Sequence, residues 1–128
     1  PNAPLQDGEY SLKELNPDAH GWSVLINMTV EDGKITAVDW DYVNTEGALK
    51  SEDEGYQEAM SDKVGIGPKE FTPQLANALV EAQSVNGIEV VSGATSSTYT
   101  FKMYAAQLIH AAQNGDQTPI EIDNIVFE

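Results

Sequence analysis

The sequence contains no cysteine, few basic residues and no apolar run long enough to cross a bilayer. Without cysteine, the chain forms no disulfide, no cysteine-type zinc site and no iron–sulfur cluster. Six Lys and Arg residues stand against 21 Asp and Glu, which gives a formal net charge of −15. This charge repels phosphate backbones and anionic lipids, so we expect no nucleic-acid partner.

A chain of 128 residues predicts one domain with a core of its own. Residues 1–7 hold two prolines and little periodicity, which is typical of a tail or linker remnant, and residues 8–128 form the domain. The sequence starts at Pro1 rather than Met, which leaves open whether a leader has been removed or the sequence is part of a longer chain.

Alternation of apolar and polar residues predicts three strands in the first third of the chain. The first runs from Gly8 to about Leu15. Residues 22–30 and 35–43 alternate with a turn at Asp32-Gly33 between them, which indicates a β-hairpin. On the return strand we expect Thr36, Val38, Trp40 and Tyr42 on one face and Ile35, Ala37, Asp39 and Asp41 on the other.

The rest of the chain predicts three helices and two further strands. The helices are expected over about 52–63 with Ser51 as cap, from Thr72-Pro73 onward with Thr72 as cap, and from the Ser/Thr cluster near 95 to about Gln113. Strands are expected at Ile88–Val91 and at Ile120–Ile122, and the pattern leaves open a continuation over 125–127. The order β-β-β-α-α-β-α-β indicates an α+β fold: an antiparallel sheet with helices packed on one side.

The junction Ser92-Gly93-Ala94-Thr95 joins an apolar segment to the most regular helix pattern in the sequence. A helix start presents unpaired N–H groups and a partial positive charge, which suits a bound phosphate. The alternative is a glycine turn followed by a Ser/Thr cap, with no ligand.

The same four residues, with an acid upstream at Glu89, resemble the flavinylation motif of the FMN-binding domain family, which usually has Asp at that acidic position. The resemblance implies that FMN is joined through its phosphate to Thr95 by a separate flavin transferase, which takes the FMN from FAD. It also implies that Ser92, Gly93 and the backbone of Ser96 and Ser97 hold the phosphate next to Ala94. The hydroxyls of Ser96, Ser97 and Thr98 are rivals to Thr95.

A flavin ring needs an apolar slot with an aromatic or thioether group against its face. The stretches 18–22 and 49–60 are similar to segments of extracellular electron-transfer members of the family. Our hypothesis is that Trp22, Tyr56 and Met60 line the ring and that Lys50 and Ser51 bond its pyrimidine edge. The alternatives are ordinary core packing for the aromatics and a solvated lysine.

Other polar residues are interpreted as surface groups. His20 lies in a turn, far in sequence from His110. Asp39 and Asp41 are expected to be solvated acids of an edge strand rather than an acid–base pair. The acids at 52–54 lack the spacing of a calcium loop. We therefore expect no metal site and no catalytic residue.

The resemblance implies a redox carrier rather than an enzyme with its own substrate. Its partners would be the flavin transferase, a membrane quinol or dehydrogenase as electron donor, and an external electron acceptor. It would be an extracellular lipoprotein of a Gram-positive cell surface, anchored through a segment outside this sequence. The alternatives are a cofactor-free cell-surface binding module and a flavin reductase that acts on small acceptors.

Overall fold

In the computed structural model, which describes residues 4–126, four strands form one sheet and the two longer helices cover one of its faces. The strands are β1 (Gly8–Glu14), β2 (Ser23–Glu31), β3 (Lys34–Val43) and β4 (Ile120–Ile122). The α-helices are α1 (Glu54–Val64), α2 (Pro68–Ala82) and α3 (Thr95–Asn114), and two 3₁₀ turns lie at Lys50–Glu52 and Val85–Gly87.

The predicted α+β class is confirmed, with one difference in the sheet. The strand order is β3-β2-β1-β4, and the pairs β1–β2 and β2–β3 are antiparallel. β4 pairs in parallel with β1, with Leu12 opposite Ile120, so the sheet is mixed rather than wholly antiparallel. Ile125 and Val126 are outside any strand. Phe127 lies outside the described residues.

The predicted hairpin is confirmed, and its turn has positive φ angles at both Asp32 (53°) and Gly33 (76°). This geometry matches the twist of the flanking strands. Val30 pairs with Ile35 and Thr29 with Ala37, so Thr36 is an extra, bulged residue. The bulge shifts the alternation. Ile35 therefore faces the core, contrary to the face predicted for it.

The strand predicted at Ile88–Val91 is wrong, because this segment is extended but pairs with no strand. Its backbone is satisfied by side chains of α3 instead. Lys102 Nζ donates to the Ile88 carbonyl at 2.8 Å, and the Val91 amide donates to Thr98 Oγ1 at 3.2 Å. β-branched alternation therefore indicated an extended backbone correctly but could not identify its partner.

Two predicted helix caps are also wrong. α1 is capped by Asp53, whose carboxylate accepts from the Tyr56 amide at 3.0 Å, and not by Ser51. α2 begins at Pro68 after Gly67 and passes through Thr72 and Pro73, although Pro73 was expected at its first turn. A proline at the first helical position is favourable, and Pro68 already occupies it.

The core lies between the sheet and the two helices α2 and α3. Trp40 is at its centre, with the Phe101 ring at 5.0 Å and the Phe71 ring at 6.0 Å between centroids. Its indole N–H donates to the Thr72 carbonyl at 2.8 Å. In the part of the chain that the structure describes, no helix combines the length and apolarity that a membrane span requires.

Candidate cofactor site

The Ser-Gly-Ala-Thr junction packs closely against the end of α1. Gly93 has φ of 85°, and a Cβ added there would lie 2.8 Å from Ile66 Cγ2 and 2.9 Å from the Val64 carbonyl oxygen. Only glycine combines this left-handed backbone with so close an approach. Gly93 thus fixes the start of α3 beside the last turn of α1.

The first turn of α3 presents unpaired backbone donors. Ala94 is the N-cap and has no side chain able to cap the helix. Among residues 4–126, the amides of Thr95, Ser96 and Ser97 have no hydrogen-bond partner, and the first turn holds no acidic residue. The Thr95 and Ser96 side chains are exposed. An anion could therefore reach these donors from solvent.

The hydroxyl groups near the start of α3 differ in burial and in hydrogen bonding. Thr98 is fully buried and bonds the Ala94 carbonyl at 2.7 Å. The Ser97 hydroxyl shares a hydrogen bond of 2.8 Å with the Tyr42 hydroxyl. Ser92, before the turn, is exposed, as are Thr95 and Ser96. Thr95 and Ser96 are therefore the accessible hydroxyls of the first turn of α3.

Lys50 is not the solvated lysine weighed as an alternative, because its side chain is only 8% exposed. Its ammonium nitrogen lies over three aromatic rings, 4.2 Å from the Tyr56 centroid, 4.3 Å from Tyr42 and 5.9 Å from Trp22. Cation–π attraction of this kind is worth about 1–2 kcal/mol per favourable contact when desolvated. We call Trp22, Tyr42 and Tyr56 the aromatic cage.

Within residues 4–126, the Lys50 ammonium has no counter-ion. Among residues 4–126, the one ion pair joins Lys13 to Glu121, and no hydrogen bond engages Lys50 Nζ. In this range, every side-chain nitrogen or oxygen that is sealed from solvent has a hydrogen-bond partner. Because Nζ has no such partner among these residues, it must be in contact with solvent. An amine so placed has donors free for an incoming ligand.

Asp41 was expected to be a solvated acid but is only 8% exposed. Its carboxylate accepts from the Ser51 hydroxyl and from the amides of Ser51 (3.1 Å) and Tyr42 (2.8 Å). The 3₁₀ turn after β3 covers it, which the strand pattern alone did not indicate. Since the Ser51 hydroxyl donates to Asp41, only its lone pairs remain for another group. Asp39 is exposed, as predicted.

An open groove on α1 lies beside the cage. It has a volume of about 200 Å³ and is lined by Tyr56, Ala59, Met60 and Lys63. Tyr56 belongs to both the groove and the cage, and the last turn of α1 reaches Gly93 through Val64. The predicted residues Trp22, Lys50, Tyr56 and Met60 are therefore brought together on the α1 side of the junction.

Tyr42 is the site residue that sequence reasoning did not single out. Its hydroxyl bonds Ser97 of α3 while its ring contacts the Lys50 ammonium, so it links the helix start to the cage. Burial raises the pKa of Tyr42 to about 12, with the Ser97 hydrogen bond acting in the opposite direction. The sequence feature that could have indicated Tyr42 is its position in β3, two residues after Trp40 and on the same face.

Two predicted residues lie apart from this cluster. Glu89 is exposed in the extended segment before the junction, and no hydrogen bond joins these two described residues, Glu89 and Thr95. His20 is exposed, as predicted, and only its backbone amide is bonded, to Asp18 at 2.9 Å. A separate groove of about 460 Å³ lies at the far end of α3 around His110 and Asn114, remote from Thr95.

Comparison with known proteins gives two relatives over nearly the whole chain. The 15 kDa lipoprotein of Treponema pallidum (strain Nichols) is 33% identical over 116 residues, which are 91% of this chain and 82% of the relative. The CPE2226 protein from Clostridium perfringens is 38% identical in sequence to this chain. Its crystal structure matches with a TM-score of 0.90 over 94% of this chain and 99% of that one. No protein-family model matches the sequence. By its identity and coverage, the chain belongs to the family of the Treponema pallidum 15 kDa lipoprotein.

Proposed function

We propose that this domain is a flavin carrier, with FMN joined by a phosphoester to Thr95, and that it relays electrons at a cell surface. The observation that supports it best is the exposed Thr95 side chain on a helix turn whose first three amides have no partner in the described part of the chain. A phosphodiester formed there keeps one negative charge, which the helix end stabilises by about 1 kcal/mol.

The attachment needs an enzyme from outside this chain. A threonine hydroxyl is a weak nucleophile without an adjacent base, and no base is bonded to Thr95 in the described structure. In the proposed step, the flavin transferase forms the bond from Thr95 Oγ1 to the FMN phosphorus of FAD. The pyrophosphate bond breaks, AMP leaves, and the hydroxyl proton passes to solvent.

The ring would then lie along the groove on α1. Met60 and the Tyr56 ring supply the apolar and aromatic contacts that a planar heterocycle needs. The groove is open and smaller than the pockets that enclose a whole ligand, so one face of the ring would stay accessible. Such exposure suits a carrier that exchanges electrons with partners by brief encounters.

The name of the relative supports a location at a membrane. The Treponema pallidum protein is named a lipoprotein, and we propose the same membrane anchoring for this chain, with the domain facing the outside. A membrane quinol or dehydrogenase would be the electron donor, and an external compound or a second domain the acceptor.

The test is the mass of the denatured protein after expression with and without a flavin transferase. We expect an added mass of one FMN on Thr95 only when the transferase is present, loss of that mass in Thr95→Ala, and its retention in Thr95→Ser. Ser96→Ala is the matched control, because Ser96 is the accessible neighbouring hydroxyl. Attachment that persists in Thr95→Ala, or no attachment to the natural sequence, contradicts the proposal.

A cofactor-free binding module is the second candidate. Tyr99 (59% exposed) and Met103 (56% exposed) lie one turn apart on the outer face of α3, where a partner could contact them. Protein that stays colourless and unmodified in cells with the transferase would favour this candidate.

A further inference from the structure

Lys50 is a buried lysine that the fold holds beside the proposed flavin site with no carboxylate partner among residues 4–126, unlike Lys63 of the groove, which is exposed. The residue is only 8% exposed, its ammonium lies 4.2 to 5.9 Å from the centroids of the three cage rings, and no carboxylate pairs with it among residues 4–126. The nearby buried acid, Asp41, is satisfied by Ser51 and by backbone amides instead. In a chain with net charge −15, an enclosed and unpaired ammonium needs an explanation.

Two rings of the cage connect Lys50 to the proposed flavin site. Tyr42 joins the cage to Ser97, in the same turn of α3 as Thr95. Tyr56 joins the cage to the groove on α1. The cage around Lys50 is therefore in contact with both parts of the proposed flavin site, the helix turn that carries Thr95 and the groove.

We propose that Lys50 sets the redox potential of the bound flavin by presenting its ammonium to the edge of the ring that becomes more negative on reduction. This inference rests on the proposed function. A fixed positive charge favours the reduced form over the oxidised form and raises the midpoint potential, whereas the acidic surface lowers it. The cage keeps the ammonium in place, because the ring faces attract a cation but do not neutralise it.

The test compares midpoint potentials of flavinylated proteins by spectroscopic redox titration. In Lys50→Met we expect the equilibrium constant for reduction to fall about tenfold or more, which for a two-electron couple is a potential lower by about 30 mV. Lys50→Arg, which keeps the charge, should stay closer to the natural protein than to Lys50→Met. Lys34→Met is the matched control. It removes the same charge at the hairpin turn, about 26 Å along β3 from Tyr42.

The outcomes distinguish a failure of the proposed function from a failure of the role proposed for Lys50. Absence of FMN from Thr95 in the natural protein, judged by mass, overturns the proposed function. FMN attached to each variant, with equal potentials for Lys50→Met and Lys34→Met, overturns the role of Lys50 alone. If both Lys50→Met and Lys50→Gln fail to fold, Lys50 is a structural residue, and the proposed role is again overturned.

Discussion

At the residue scale, Gly93 has two separate reasons to be glycine, and these can be measured apart. Its φ of 85° disfavours any side chain, and its surroundings leave no room for a Cβ. Gly47 has nearly the same φ, 86°, but open space around it. The pair therefore separates backbone strain from steric contact.

Gly93→Ala should destabilise the domain by about 2–4 kcal/mol, and Gly47→Ala by about 1 kcal/mol, because strain acts in both and the clash with Val64 and Ile66 only in the first. Urea unfolding of the two variants measures the difference. Equal losses would mean that the end of α1 moves aside freely, and the junction would then be less firmly placed than the structure indicates.

Tyr42 gives a second prediction at this scale, in alkali. Because its pKa is raised from 10.0 to about 12, chiefly by burial, the folded state keeps a proton that the unfolded state loses. The stability that this proton contributes is complete below pH 10 and is lost as the pH rises toward 12. The loss is about 2 kcal/mol.

The measurement is the unfolding free energy between pH 9 and roughly pH 12, compared between the natural protein and Tyr42→Phe. The variant should lack this part of the decline, although it is less stable at neutral pH because Ser97 loses its partner. Identical slopes for the two proteins would contradict the buried position of Tyr42. Burial also raises the pKa of Tyr104, and both proteins share that contribution.

At the scale of elements, α2 contains a proline that the helix tolerates at a cost. Pro73 lies in the interior of α2 and is exposed, so the carbonyl of Lys69 loses its helical donor but can bond water. Pro73→Ala should restore that bond and raise the unfolding free energy by about 1–2 kcal/mol, after allowance for the freer unfolded chain.

Thermal unfolding checks this, with Gln74→Ala as control, since Gln74 is the exposed neighbour and Ala changes only its helix propensity. A gain of 1 kcal/mol corresponds to an increase of about 4 °C in Tm for a domain of this size. A fall in Tm for Pro73→Ala would indicate that the proline ring makes stabilising contacts.

The elements show what the sequence could and could not predict. The hairpin and α3 follow from local periodicity and turn residues, so their prediction succeeded. The segment at Ile88–Val91 has the same alternation as a strand, but its pairing depends on Lys102 and Thr98, which are distant in sequence. Two positions could start α2, Gly67-Pro68 and Thr72-Pro73. Local propensity alone does not indicate which of them is the first turn.

The site divides in the same way. Gly93 and Thr95 lie at the turn and the helix start that the local sequence predicted, whereas the attachment of FMN to Thr95 stays a prediction. The aromatic cage is assembled from β3, the loop before β2 and α1 around Lys50 of the 3₁₀ turn, and no spacing in the sequence connects Tyr42 to Ser97. The burial of Lys50 and Asp41 follows from this assembly, which is why the local pattern assigned Asp41 to solvent and left a solvated Lys50 open as an alternative.

At the scale of the whole molecule, the charge of −15 dominates any encounter with a partner. The described structure offsets little of it, since its one ion pair, Lys13–Glu121, is 3.6 Å long and exposed. For the flavinylated protein, a cationic acceptor should be reduced faster than an anionic acceptor of similar potential. The difference should shrink as salt shortens the Debye length from about 30 Å at 0.01 M to about 8 Å at 0.15 M.

Stopped-flow rates with a matched cationic and anionic pair, at low and physiological salt, measure this effect. Salt should slow the cationic reaction and speed the anionic one, because screening removes attraction in the first case and repulsion in the second. Since Lys50 is the enclosed cation of the site, the preference for cations should become stronger in Lys50→Met. If the rates depend neither on the charge of the acceptor nor on the salt concentration, the prediction is contradicted. Electrons would then leave through a surface whose potential the acidic residues do not influence.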